Sequence, residues 1–257
     1  MDSEPNDPQR AELEAILQTS LEFGMHVQMS GGYTARVRDS MHRVAIGLGA
    51  DRADTWVSSG SIGLVVGRDG WTRTSVRTTP AIGVNFTELS YLSRLSRNAA
   101  SMTIEEVQAE LDSIAHRERR YPVPLVLVML GVACASFAAL FGADAVGMVL
   151  AGVGGYAGSG VRHLLVKRRF KPFIYCLFAA LVASSVVFAF ARFTTTTEYA
   201  ATAAIIFLVP GVPMLNGTAD LLTSNYLNGL VRLTRAMIIL LSAALGLTLS
   251  LVIWGQA

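Results

Sequence analysis

Residues 116–141 read His-Arg-Glu-Arg-Arg-Tyr-Pro-Val-Pro-Leu-Val-Leu-Val-Met-Leu-Gly-Val-Ala-Cys-Ala-Ser-Phe-Ala-Ala-Leu-Phe. A charged cluster containing Arg117, Arg119 and Arg120 runs through Pro122 into Val123–Phe141, which carries no charge at all. That run is close to the ~20 apolar residues a helix needs to cross a bilayer. Working outward, the two sides differ in kind. Positions 1–120 hold 13 of the 21 Lys and Arg and 16 of the 19 Asp and Glu; the remaining 137 positions hold 8 and 3. Charge at that density keeps the first part out of lipid. Its scarcity excludes an ordinary soluble domain for the second, since such domains are about 25 % charged. The chain therefore reads as a soluble domain over 1–120 joined to a membrane domain over 121–257. A formal net charge of +2, with no basic stripe interleaved with aromatics, gives no footprint for nucleic acid. Cys134 and Cys176 both lie in apolar runs, so no disulfide framework is implied.

The first part has regular patterning and reads as a folded α+β domain, with helices packed on a small antiparallel sheet. Its opening, Met-Asp-Ser-Glu-Pro-Asn-Asp, is acidic and lacks the basic and apolar regions of a signal peptide, so the domain is expected in the cytoplasm. Asp7-Pro8 reads as N-cap and first turn of a helix carrying Leu13, Ile16, Leu17 and Leu21, ended by Gly31-Gly32. Thr34 is placed to cap a second helix running through Val37, Met41, Val44 and Leu48. Strands follow at Trp56–Ser58, Ser61–Gly67 and Trp71–Thr78, with Asp69-Gly70 as a hairpin turn. A helix over Asn85–Arg97 and another opened by the Thr103–Glu106 capping box complete the domain.

No catalytic signature appears there: Ser59-Gly60-Ser61-Ile62-Gly63 is not a nucleophile elbow, and no P-loop or metal-binding spacing is present. His26, His42 and His116 stand alone, and Arg73, Arg77, Asp69 and Asp54 read as a solvated sheet face. A regulatory ligand pocket in this domain is the functional alternative. Neither a cofactor nor a metal site is expected.

Five segments of the second part have spanning length: 123–141, 145–166, 172–193, 199–222 and 227–254. Ten basic residues fall at the ends on the N-terminal side and one, Arg192, on the other. By the positive-inside bias this sets the N-terminus in the cytoplasm and the C-terminus outside, with Trp254 at the far interface. Gly147, Ala151, Gly155 and Ser159 recur every fourth position, with Gly154 and Gly158 alongside, as a close-packing face for a neighbouring helix or a second membrane subunit.

The fourth segment carries the chemistry. It reads Leu208-Val209-Pro210-Gly211-Val212-Pro213-Met214-Leu215-Asn216-Gly217-Thr218-Ala219-Asp220. Two prolines around a glycine break the helix, and broken backbone at membrane depth is tolerated only against protein or a water-filled cavity. Asn216 and Asp220, four apart, share a face. Asp220 is the one carboxylate inside a predicted span, and a charge at mid-bilayer costs on the order of 3 kcal/mol. Two readings follow. Asp220 pairs with Arg232 and pins a helical hairpin, or the same groups form a substrate and proton site; the two are compatible.

The run Leu-Val-Pro-Gly-x-Pro-x-x-Asn-x-x-x-Asp-Leu at 208–221, followed by Asn228-Gly229-x-x-Arg232, resembles the signature of the threonine/serine exporter family. The layout from about Leu13 to Trp254 is similar too. The family occurs as one long chain or as two chains, and five spans resemble the large subunit of the two-chain form. The resemblance implies a secondary exporter in the inner membrane, driven by the proton gradient, moving threonine and serine or succinate-like dicarboxylates. It implies a small hydrophobic partner subunit of the same family. Five spans are few for a sealed path, so a partner or a homo-oligomer within the lipid is expected. In this reading Pro210, Gly211, Pro213, Asn216, Asn228 and Arg232 contact substrate and Asp220 exchanges a proton. Two other classes compete: a membrane-anchored enzyme with its active site in the N-terminal domain, and a regulatory or assembly subunit that transports nothing itself.

Overall fold

The computed structural model describes residues 8–80, 83–116 and 121–255. The proposed cap Asp7 and the basic cluster Arg117, Arg119 and Arg120 lie outside the described residues. Contacts group the chain into two compact units. One holds the elements from Pro8 to Ala115 together with Val212–Leu233; the other holds Val123–Gly211 and the chain from Thr234 onward.

In the first unit, α1 (Pro8–Met29) and α2 (Thr34–Gly47) precede a three-stranded antiparallel sheet in the order β1 (Arg52–Val57), β2 (Ser61–Arg68), β3 (Trp71–Thr78). Then come α3 (Phe86–Asn98) and α4 (Ile104–Ala115). β2 is central, pairing Leu64 with Thr55 on one side and Ser75 on the other. Its Ile62, Leu64 and Val66 are buried against Leu17 and Leu21 of α1, Met41 of α2, Leu92 of α3 and Leu111 of α4. β1 begins four residues earlier than its apolar residues suggest, because its opening, Arg52 and Asp54, faces water and carries no apolar signal. Asp69 and Gly70 both take positive φ, 49° and 79°, as a two-residue hairpin turn requires. Thr103 and Glu106 form the expected capping box.

In the second unit, α5 (Val123–Leu140), α6 (Ala145–Lys167), α7 (Pro172–Ala189) and α8 (Thr197–Ala204) pack through small residues. A Cβ on Gly158 would lie 2.7 Å from the Ala179 carbonyl oxygen, and one on Gly155 would lie 2.5 Å from Cys134 Sγ. The small-residue rows of α6 are thus used inside the chain, against α5 and α7. Asp144 caps α6: its Oδ1 accepts from Gly147 N–H at 2.6 Å and Thr194 hydroxyl at 2.7 Å, and Oδ2 from Thr195 N–H at 2.9 Å. These donors, the Gly147 amide foremost, hold its carboxyl well below the usual carboxylate range.

The fourth segment is broken as its prolines predict. α8 ends at Ala204, a 3₁₀ turn covers Ile206–Leu208, Val209 is extended, and α9 (Gly211–Leu222) restarts after Pro210. The last helix, α10, runs Tyr226–Ile253. Among the described residues, α5, α7 and α10 are long and apolar enough to cross a membrane, or four spans if the bent pair Thr197–Leu208 and Gly211–Leu222 counts as one. α6 has the length, but its glycines, Ser159 and Arg162 lower its hydropathy, and it is not in that set.

Candidate functional site

The chemistry gathers where α9 turns into α10. The turn closes through Ser224 (φ 62°) and the Asn225 N–H on the Asp220 carbonyl, 2.8 Å. Gly217 and Gly229 let the helices touch: a Cβ on Gly229 would lie 2.8 Å from the Gly217 carbonyl oxygen. On each helix the polar residues are four apart, Asn216 and Asp220 on α9, Asn228 and Arg232 on α10, so each pair forms one stripe.

The stripes meet the loop between α1 and α2. α1 ends in a Schellman motif: Gly31 takes φ +93°, its N–H reaches the Gln28 carbonyl at 3.1 Å, and the Gly32 N–H reaches Val27 at 2.9 Å. That geometry frees the Gly31 and Gly32 carbonyls. Asn216 Nδ2 donates to Gly31 O (2.8 Å) and an Arg232 terminal nitrogen to Gly32 O (3.1 Å). Asn228 Nδ2 donates to Thr34 Oγ1 (3.1 Å) and to Val57 O at the end of β1 (2.9 Å). Asp220 Oδ1 accepts the Thr34 N–H at 2.9 Å.

This last bond corrects one expectation. Thr34 is the first helical residue of α2, not its cap. The N-cap is Tyr33, which offers no capping side chain. Asp220 supplies the missing acceptor from across the sequence, and its charge sits at the positive end of the α2 dipole.

Asp220 is fully buried and Arg232 is 9 % exposed. Arg232 Nε lies 3.1 Å from Asp220 Oδ2. The N–H is not directed along that line, so both atoms count as buried without a hydrogen bond. The contact is an ion pair held by charge, with hydrogen-bonding capacity left on both sides. The hairpin-pinning pair foreseen from the sequence is therefore present.

Of the expected site residues, the fold brings Asn216, Asp220, Asn228 and Arg232 into one hydrogen-bonded cluster. Pro213 lies one turn before Asn216, and Pro210 and Gly211 sit where α9 restarts. The sequence reading missed Gly31, Gly32, Thr34 and Val57, all contributing backbone atoms apart from the Thr34 hydroxyl. The double glycine and the uncapped Tyr33 were the only signals that could have pointed to them. Among the described residues no cluster of His, Cys, Asp or Glu is placed to hold a metal ion.

A chain with several membrane-length apolar helices, a proline-broken helix and polar stripes that are buried or half-buried has the build of a membrane transporter. Comparison with known proteins makes this specific. Residues 18–254 match the family model described as "Putative threonine/serine exporter". The chain belongs to the threonine/serine exporter family; it is a transporter and not an enzyme. Among curated proteins it is 29 % identical to the "Probable succinate transporter subunit YjjP" of Escherichia coli (strain K12), over 96 % of this chain and 98 % of the relative. It is 26 % identical to the protein of the same name in Klebsiella aerogenes, over 96 % of each. No solved structure matches the chain.

Proposed function

We propose that the chain is the large subunit of a proton-coupled secondary exporter of small polar metabolites, working in the inner membrane with a small hydrophobic subunit of its family. The observation that carries this is the cluster of Asn216, Asp220, Asn228 and Arg232: one carboxylate, one guanidinium and two amides at i, i+4 spacing on facing helices. Arg232 suits the carboxylate of a solute, and the amides suit its hydroxyl, carbonyl or second carboxylate. Threonine or serine and succinate-like dicarboxylates all offer those groups. The relatives' names, as succinate transporter subunits, favour dicarboxylates and a subunit partner. Asp220 takes and releases the proton; a neutral Asp220 no longer holds Arg232 by charge, which frees the guanidinium for an anionic solute. Residues 1–120 lie in the cytoplasm, five spans follow, and the C-terminus lies outside.

Efflux of preloaded threonine or succinate from liposomes holding both chains tests this. Asp220→Asn keeps the shape and an acceptor for the Thr34 N–H but cannot cycle a proton. Export is expected to fall to background while membrane insertion is retained. Unchanged export in that variant removes Asp220 from the mechanism. Full export by the small subunit alone would make this chain a regulatory or assembly subunit instead.

A further inference from the structure

Every functional side chain of the cluster already bonds to the loop or to the end of β1. Its two amides and the terminal guanidinium nitrogen end on Gly31 O, Gly32 O, Val57 O and Thr34 Oγ1, and its carboxylate holds the Thr34 N–H. A carbonyl oxygen, a hydroxyl and an N–H are also the groups a small polar metabolite would present. Resting on the exporter reading, we propose that the Gly31–Thr34 loop is a plug: it occupies the transport site in competition with the solute, and the site loads only when the loop undocks.

Three features separate a plug from a permanent strut. First, the contact is polar. It is made by backbone groups of a loop and four hydrophilic side chains, as in interfaces between parts that separate, whereas the domain's permanent core is apolar. Second, it is incompletely satisfied. Asp220 Oδ2 and Arg232 Nε keep unused capacity, and Ser30 Oγ and Gln28 Oε1, just before the loop, are buried with no protein partner. Buried polar atoms normally find partners, so their clustering marks a place built for a second arrangement. Third, the dock seals the site: the carboxylate expected to exchange protons has no exposed surface while the loop is in place.

Thr34→Pro isolates the plug. Proline is well tolerated at the first position of a helix, and Tyr33, at φ −76° and ψ 163°, already has the extended conformation that a residue before proline needs. α2 therefore persists while the bonds to Asp220 and Asn228 are lost. The readouts, on both chains in liposomes, are hydrogen–deuterium exchange of peptides covering residues 30–38 and efflux of threonine and of succinate. In the wild type, a saturating concentration of the transported solute should speed exchange of these peptides at least threefold. Thr34→Pro should show the fast exchange without solute and should export at least threefold faster at low solute concentration. Should Thr34→Pro fail to insert, Thr34→Val, which keeps the N–H and loses the hydroxyl, should show the same changes at smaller size. A loop that opens in the variant with export at or below wild type overturns the plug, as does exchange indifferent to solute. In those cases export and its dependence on Asp220 remain, so the exporter reading stands. If neither solute is exported, or Asp220→Asn exports normally, the exporter reading fails and takes the plug with it.

Discussion

Asp220 does three things: its carboxylate pairs with Arg232 and caps α2, and its backbone carbonyl closes the α9–α10 turn. Removing either charge strands the other in a buried place, which typically costs about 3–5 kcal/mol. Asp220→Ala and Arg232→Ala should each lower the unfolding midpoint in detergent strongly, and the double variant should lose far less than their sum. Additive losses would show that the two charges are energetically independent.

Asp144 gives a pH-dependent case outside the spans. Its carboxyl titrates below the ordinary value of 3.8 because Gly147 N–H, the Thr194 hydroxyl and Thr195 N–H all bond its charged form. A depressed folded value stabilises the protein fully above the unfolded value and loses that stabilisation as pH falls through the folded one. The stability gap between wild type and Asp144→Ala should be widest at neutral pH and should shrink as acidification proceeds below 3.8. A gap that does not change with pH would mean the bonds do not depend on charge.

At the scale of elements, α6 is the one whose neighbours decide its sequence. Gly158 allows the α7 backbone at Ala179 and the methyl of Ala183 to approach. A Leu there meets backbone, which cannot rotate away as a side chain can. Gly158→Leu should separate α6 from α7 and drop the unfolding midpoint well below that of Gly160→Leu, a glycine with open space around its Cβ direction. Equal effects would assign α6 a looser packing. The sequence showed the small-residue rows but left their partner open between this chain and another subunit, because a close-packing face looks the same whichever helix fills it. The elements of the first unit were more legible. β2 with its apolar run, the Asp69-Gly70 turn and the Thr103 box each follow from local rules. The start of β1 and the cap of α2 did not, since one is a charged strand on a solvated edge and the other takes its acceptor from 186 residues away.

For the molecule as a whole, efflux should need both this chain and a small membrane subunit. Either alone in liposomes should give background rates, measured with threonine and with succinate. A reporter fused after Ala257 should read as external. Cytoplasmic signal there would mean an even number of crossings.

Composition alone settled that the chain divides into a charged part and an apolar part, because the cost of burying charge in lipid is large and additive over many residues. The motif from Pro210 to Arg232 pointed to the family that the match over residues 18–254 shows, and helical spacing placed each of its polar pairs on one face. Only the folded chain decided what those faces touch. Asn216, Asp220, Asn228 and Arg232 bond to Gly31, Gly32, Thr34 and Val57. Three of those four contribute nothing but backbone carbonyl oxygens, and a main-chain oxygen is carried by every residue type, so beyond the double glycine at 31–32 no residue pattern pointed to them.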